Sequence, residues 1–167
     1  MNQAPRSRRA FRGVADELDY LNEKISYWWH QRGERRHAIQ FVDRFEELLQ
    51  SLRTDDGSIV MQEYWGLLHE VRGSLKKAIA ARKREAALIG KLLDIAGPVG
   101  PVDHEYLLAT LLLIASLHLQ ADETSQSIDV LHEAEQLANT HSLSFRGRGL
   151  LESLLKHAAG AGARQPA

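Results

Sequence analysis

Proline stands at only four positions of the 167: Pro5, Pro98, Pro101 and Pro166. Two lie near the ends and two share one short loop, GPVGP at 97–101, so two long proline-free blocks remain. Proline inside a helix removes a hydrogen bond and clashes with the preceding turn, and both blocks have the freedom that helices need. No alternating run of β-branched residues and no Asn-Gly or Asp-Gly pair signals a hairpin of strands. The expectation is an all-α fold of about six helices, in one compact domain or two small helical lobes.

Apolar residues at three- and four-residue spacing place the helices. The first carries Val14, Leu18, Leu21, Ile25 and Trp28 and ends near Gly33. The second carries Ala38, Phe41, Phe45, Leu48 and Leu52 and stops at TDDG, 54–57. No breaker interrupts 58–96, which reads as one helix roughly 55–60 Å long at about 1.5 Å per residue. Its inner positions are Met61, Tyr64, Leu68, Val71, Leu75, Ala78, Ile89 and Leu92. Arg82 and Glu85 fall on that stripe, so its middle must be wet, paired in charge, or broken near 80–84. Past GPVGP, Asp103 is placed to cap a helix whose core is YLLATLLLIASLHL, apolar all round but too short to cross a bilayer. Two further helices follow, from about Thr124 to Asn139 and from about Ser144. The expected organisation is a flexible basic arm over 1–12, a three-helix bundle over 13–97, a hairpin region with a capping helix over 102–159 and a disordered tail over 160–167.

The 21 Lys and Arg nearly balance 22 Asp and Glu, for a net charge of −1, which argues against nucleic acid as the main partner. Cysteine is absent, excluding disulfides, cysteine-ligated zinc and a thiol nucleophile. MNQAPRSRRAFRG has no apolar stretch behind its arginines and does not read as a secretory signal. A cytoplasmic protein without a membrane segment is expected.

Small residues Ala115, Ser127 and Ala134, with large Ile114, His118 and Leu131, sit where two antiparallel helices would cross. In this pattern 106–140 resembles one tetratricopeptide repeat, a helix-turn-helix unit. His118, Ser127 and Asn139 depart from that family's usual tyrosine, alanine and proline, and Gly149 would be the small position of a following unit. The resemblance covers about 50 residues with no clear earlier copy upstream, and it implies partner binding on a helical face without chemistry.

A second string, WGLLHEVRGSL, sets His69 between Gly66 and Gly73, with Arg72 three residues on. His69, Arg72, Gly73 and Ser74 resemble the His-x-x-Lys-Gly-Ser motif of histidine-containing phosphotransfer domains, with Arg for Lys. That resemblance implies His69 as phosphoacceptor, Arg72 steadying the phosphoryl group and Gly73 clearing space. Ile79 replaces the family's later glycine, and no nucleotide-binding domain follows. The alternative is structural. Gly66, Gly73, Ala80 and Ala87 recur every seven residues, a small stripe along which a second copy could pack. Glu63 and Glu70 precede Lys76, Lys77, Lys83, Arg84 and Lys91, so an antiparallel copy would set acid against base.

Trp29, from the Tyr27-Trp28-Trp29 cluster, is a further interface candidate. Glu34 with His37, and Asp129 with His132, have the spacing of helical metal ligands but lack the additional inward glutamates such sites need. Arg72, Lys76, Lys77, Arg82, Lys83 and Arg84, with Arg6, Arg8, Arg9 and Arg12, form a basic set without interleaved aromatics. The sequence thus favours a non-catalytic protein-interaction module, without cofactor or metal, that self-associates through 58–96. The alternative is a phosphotransfer module acting through His69.

Overall fold

The computed structural model describes residues 12–52, 58–143 and 145–162. The expected turn at 54–57, nearly all of the basic arm, and 163–167 lie outside them. The fold is all-helical: α1 (Val14–Ser26), a π-helical turn (Tyr27–Gln31), α2 (Arg35–Ser51), α3 (Ile59–Val71), α4 (Leu75–Ala96), α5 (His104–Gln120), α6 (Thr124–Thr140) and α7 (Phe145–Gly162). Among the described residues no helix is long and apolar enough to cross a membrane. The chain divides into two compact units, Met1–Arg53 and Thr54–Ala167. The 97–101 loop therefore lies inside the second unit, and α3 belongs with the helices that follow it.

In the first unit α1 and α2 form a hairpin. Leu18, Leu21 and Ile25 of α1, and Ala38, Val42, Phe45, Leu48 and Leu49 of α2, are buried. Arg44 ties the helices together, donating to both carboxylate oxygens of Glu17 (2.8 and 3.1 Å) and to Glu47 (2.9 Å). The Arg44 guanidinium holds the Glu17 carboxyl below its ordinary value. After α1 the ladder widens: the Arg32 amide bonds the Tyr27 carbonyl and the Glu34 amide that of Trp28. Gly33, at φ 67°, then reverses the chain.

In the second unit each helix packs on the next, α3 on α4, α4 on α5, α5 on α6 and α6 on α7, with α5 also touching α7. The expected single helix over 58–96 is two helices, which is why seven form rather than six. The break is at Gly73, before the suspected 80–84. Gly73 takes φ 76°, its amide bonds the Glu70 carbonyl (2.9 Å), and the Ser74 amide bonds that of His69 (2.8 Å). This pair of bonds, around a left-handed residue just past the helix, is a Schellman turn. It recurs twice. At Asp122 (φ 59°) the Glu123 amide reaches the His118 carbonyl, and at Ser142 (φ 50°) the Leu143 amide reaches that of Ala138.

The first two of these turns leave the incoming helices, α4 and α6, without side-chain caps. Ser74 and Glu123, each closing one turn and opening the next helix, sit near φ −90°, ψ 65° and make no cap bond. The α4–α5 connection differs. Val99 and Val102 exchange two backbone bonds (2.9 and 3.0 Å), with Gly100 between them at φ 57°. Extended Asp103 then caps α5 through Oδ1, accepting from the Tyr106 amide (2.8 Å), as its sequence position predicts. α7 seats Leu151 in the α5–α6 core, with Leu154 and Leu155 beside it, and continues to Gly162, into the segment expected to be loose.

Gly73→Ala is expected to lower unfolding stability by about 1–2 kcal/mol, the cost of a side chain in the left-handed region. Asp122→Gly is expected to raise it by several tenths of a kcal/mol for the converse reason. Urea denaturation of both variants checks the pair; equal midpoints would contradict the turn assignment.

Candidate functional site

Three successive helices bring a polar cluster into the second unit. Arg82 and Glu85, one turn apart on α4, are 4% and 0% exposed, and Arg82 Nη1 donates to Glu85 Oε2 at 2.7 Å. The charges that sequence placed on the inner stripe are indeed inside, and they are paired. Tyr106, from the first turn of α5, sets its hydroxyl 2.9 Å from Glu85 Oε1 and 3.0 Å from Glu63 Oε2 of α3. A phenol has one proton to donate, so both contacts are hydrogen bonds only when a carboxyl also carries a proton. Burial pushes the Glu85 carboxyl above its ordinary range against the opposing pull of Arg82 and of the Tyr106 hydroxyl, and Glu63 adds to the rise. Burial and the two carboxylates hold the phenol in its protonated form.

Gly66 belongs to this cluster. It is buried, and a Cβ there would lie 2.7 Å from Arg82 Nε and 2.9 Å from its Cδ. The missing side chain makes room for the Arg82 stem inside the α3–α4 pair, so Gly66 clears no space for another protein. Gly73 makes the turn. Of the seven-residue stripe only Ala80 and Ala87 remain as exposed neighbours on one helix. The stripe expected to carry a homodimer along 58–96 is divided because that helix is not continuous. The acids meant for the antiparallel pairing are also drawn inward: Glu70 is buried, and Glu63 meets Tyr106.

His69 is half-buried in the last turn of α3, stacked on Trp65 at 5.7 Å, and Arg72 is exposed at the end of the helix. The negative end of the helix dipole, near His69, disfavours a phosphoryl group. The two glycines of the phosphotransfer-like string thus have structural roles, and what remains of the motif is His69, Arg72 and Ser74, the last of which closes the turn.

The six residues that carry the repeat-like pattern, Ala115, Ser127, Ala134, Ile114, His118 and Leu131, are all buried. Ser127 Oγ donates to the Ala115 carbonyl at 2.9 Å, a contact that two small residues permit. His118, 3% exposed, sets Nδ1 2.7 Å from Glu123 Oε2, while Nε2 has no protein partner. Gly149, the small position of a further unit, is exposed.

Measured from their left-handed turn residues, α3–α4 and α5–α6 correspond. Gly66 matches Ala115, His69 matches His118 and Ala78 matches Ser127. Ala78, like Ser127, is fully buried. At the next two inner positions Arg82 and Glu85 stand where α6 has Leu131 and Ala134. At these two positions a buried ion pair in the α3–α4 hairpin replaces apolar residues of the α5–α6 hairpin.

On the outer side, a groove of about 370 Å³ opens between α5 and α7, lined by Ser116, Leu119, Gln120, Ser153, Leu154 and His157. Sequence reasoning did not single out these residues. Their signal was Ser116 and Gln120, two polar positions on the outer side of a mostly apolar α5. In the first unit, Trp28 stacks on His37 at 4.8 Å, and half-buried Trp29 lies under the Arg35 guanidinium at 4.7 Å. His37 pairs with Glu34 at 3.0 Å, whereas His132 lies 3.7 Å from Glu135 rather than pairing with Asp129. Among the described residues no three potential metal ligands cluster.

Gly66→Ala is expected to cost about 1–3 kcal/mol through displacement of Arg82, despite a gain of about 1 kcal/mol in helix propensity. In an Arg82→Ala background, which removes the Cγ, Cδ and Nε atoms that crowd the new methyl group, that cost should disappear. Unfolding of the two singles and the double variant measures it, and the same cost in both backgrounds would refute the contact. The proton bound near Tyr106 sets a sign. The unfolded chain releases its carboxyl protons around the ordinary value of 4.5, whereas the folded chain, with the Glu85 carboxyl raised by burial, releases this one at higher pH, so stability falls as pH rises between the two. Raising pH from 5 to 8 should therefore lower the wild-type urea midpoint relative to that of Glu85→Gln; a relative rise would contradict proton retention. No protein-family model matches the chain, and neither the curated proteins nor the solved structures yield a significant match, so its function has to be argued from these side chains.

Proposed function

We propose that this chain is a non-catalytic protein-interaction module. On this reading its second unit is a short stack of hairpins resembling tetratricopeptide units, and it holds a segment of another protein in the groove between α5 and α7. The groove carries the proposal. Leu119 and Leu154 supply apolar surface for one or two side chains of a partner. Ser116, Gln120, Ser153 and His157 supply donors and acceptors for its backbone. No lining residue is a carboxylate, lysine or arginine, so recognition there rests on shape and hydrogen bonding. The main buried polar groups support the same reading. Glu85 bonds both Arg82 and Tyr106, and His118 bonds Glu123 through Nδ1, so these groups take up one another within the helical stack.

A displayed random-peptide library selected on the folded chain tests the proposal. Selected peptides are expected to bind in the micromolar range and to lose at least tenfold in affinity (about 1.4 kcal/mol) on both Ser116→Arg and Leu154→Asp. Failure to enrich any peptide, or binding unaffected by either substitution, would overturn it.

A further inference from the structure

α4 turns two different faces to its surroundings. Arg82 and Glu85 point inward, while Lys76, Lys77, Lys83, Arg84 and Lys91 are all exposed. On a helix surface the neighbours of a residue lie three and four positions away. The four neighbours of Ala80 are therefore Lys76, Lys77, Lys83 and Arg84, a ring of cations around an exposed methyl group. One heptad on, Ala87 has Lys83, Arg84 and Lys91 as neighbours, with Gly90 completing the ring. Among the described residues, none of the five cations forms an ion pair; Arg84 Nε donates to the neutral Gln62 amide oxygen at 3.0 Å. Elsewhere the fold does pair its arginines, Arg44 with Glu17 and Arg82 with Glu85.

These cations do not serve the helix that carries them. Lys76 and Lys77 stand in the first turn of α4, where no acidic residue accompanies them and the helix dipole disfavours positive charge. A net charge of −1 for the whole chain conceals this strip, because its exposed face holds one acid, Asp94 beyond Lys91, and the other balancing acids lie elsewhere.

We infer that the outer face of α4 is a docking strip for an acidic α-helix of a partner protein, separate from the α5–α7 groove. The spacing points to a helix. The two rings are centred seven residues apart, about 10.5 Å along the axis at 1.5 Å per residue, the interval at which a helix presents the same face again. The alanines and Gly90 let a second backbone approach closely, and carboxylates at heptad spacing would fall into the cation rings. At the far end of α4, Ile95 is 75% exposed and offers apolar contact. The strip has no aromatic side chain on which a nucleic-acid base would stack, as sequence-tolerant single-strand binders have.

The full chain is titrated into two fluorescent probes of equal charge, a three-heptad helical peptide with glutamates at heptad spacing and an oligothymidylate. The peptide is expected to bind, to bind more tightly than the oligonucleotide, and to weaken at least tenfold on Lys76→Glu/Lys83→Glu. It should also weaken on Ala80→Phe, which leaves every charge in place and blocks close approach. Circular dichroism confirms that each variant is folded, and Lys83→Glu/Lys91→Glu replaces any that is not. Absence of peptide binding, binding indifferent to these changes, or tighter binding of the oligonucleotide each overturns the inference. The peptides selected on the α5–α7 groove probe different residues, so either proposal can fail alone.

Discussion

Three residues in the left-handed region, Gly73, Asp122 and Ser142, control the second unit. Each ends a helix and lets the next begin after one more residue or two, so consecutive helices must run back along each other. A connection this short gives neighbouring helices little freedom to separate, and the apolar stripe of one is committed to the next. Only the first of the three turns has glycine. Asp122 and Ser142 tolerate positive φ at some strain, but a chain reversal after α3 is secured by the residue that accepts it freely. The same compactness explains why Ser74, chemically a good cap, does not cap α4. As the closing residue of the preceding turn it is held outside the extended conformation that a capping side chain requires.

The reversal at Gly73 places Gly66 opposite Arg82, and the polar cluster follows from it. A buried ion pair is weak evidence for stability, since desolvation of both charges offsets their attraction. What it does supply is selectivity among packings. Leu131 and Ala134 tolerate small shifts of one helix along another. Arg82 and Glu85 move together on α4 and tolerate few, because a slip would drive the Arg82 stem off the space at Gly66 and take Glu85 away from the Tyr106 hydroxyl. The Tyr106 hydroxyl extends that demand to α5, and Glu63 extends it back to α3. The first hairpin and the junction to the second are thus fixed by directional contacts, and the second hairpin by close packing around Ser127 and Ala115.

Helix content, the GPVGP turn and the Asp103 cap were legible because each rests on local chemistry: proline placement, glycine in a tight turn, a side chain accepting from its own helix. The α5–α6 crossing was legible because small residues at fixed intervals have one common use. The turn at Gly73 was not, since 58–96 keeps an apolar period on both sides and a lone glycine reads equally as a tolerated interior residue. The same ambiguity gave Gly66 and Gly73 a shared purpose beside His69, when one faces Arg82 and the other turns the chain. The earlier hairpin was missed because Arg82 and Glu85 read as a defect in an apolar stripe; the space for the pair comes from Gly66 of α3 and its further hydrogen bond from Tyr106 of α5, which sequence periodicity does not represent. The α5–α7 groove needed the helices in place, because its residues come from two segments that no local pattern connects.

Once the chain turns at Gly73, the charge pattern along 58–96 changes meaning. On one continuous helix the early acids and late bases would have been balanced halves of a self-complementary surface. On a hairpin they become opposite sides of a wall: Glu63 and Glu70 are drawn toward the interior, and the lysines of α4 are left outside without ion-pair partners. Packing therefore creates the uncompensated strip, and overall neutrality offers no guide to it. The two proposed contact surfaces consequently differ in physics. The α5–α7 groove works through shape and uncharged hydrogen bonds, which salt barely alters, whereas attraction to α4 weakens as ions shorten the reach of its field. A partner with an apolar segment and an acidic helix would find both on one unit, and linkage of the two contacts would raise its affinity without any new contact, provided its spacer spans them.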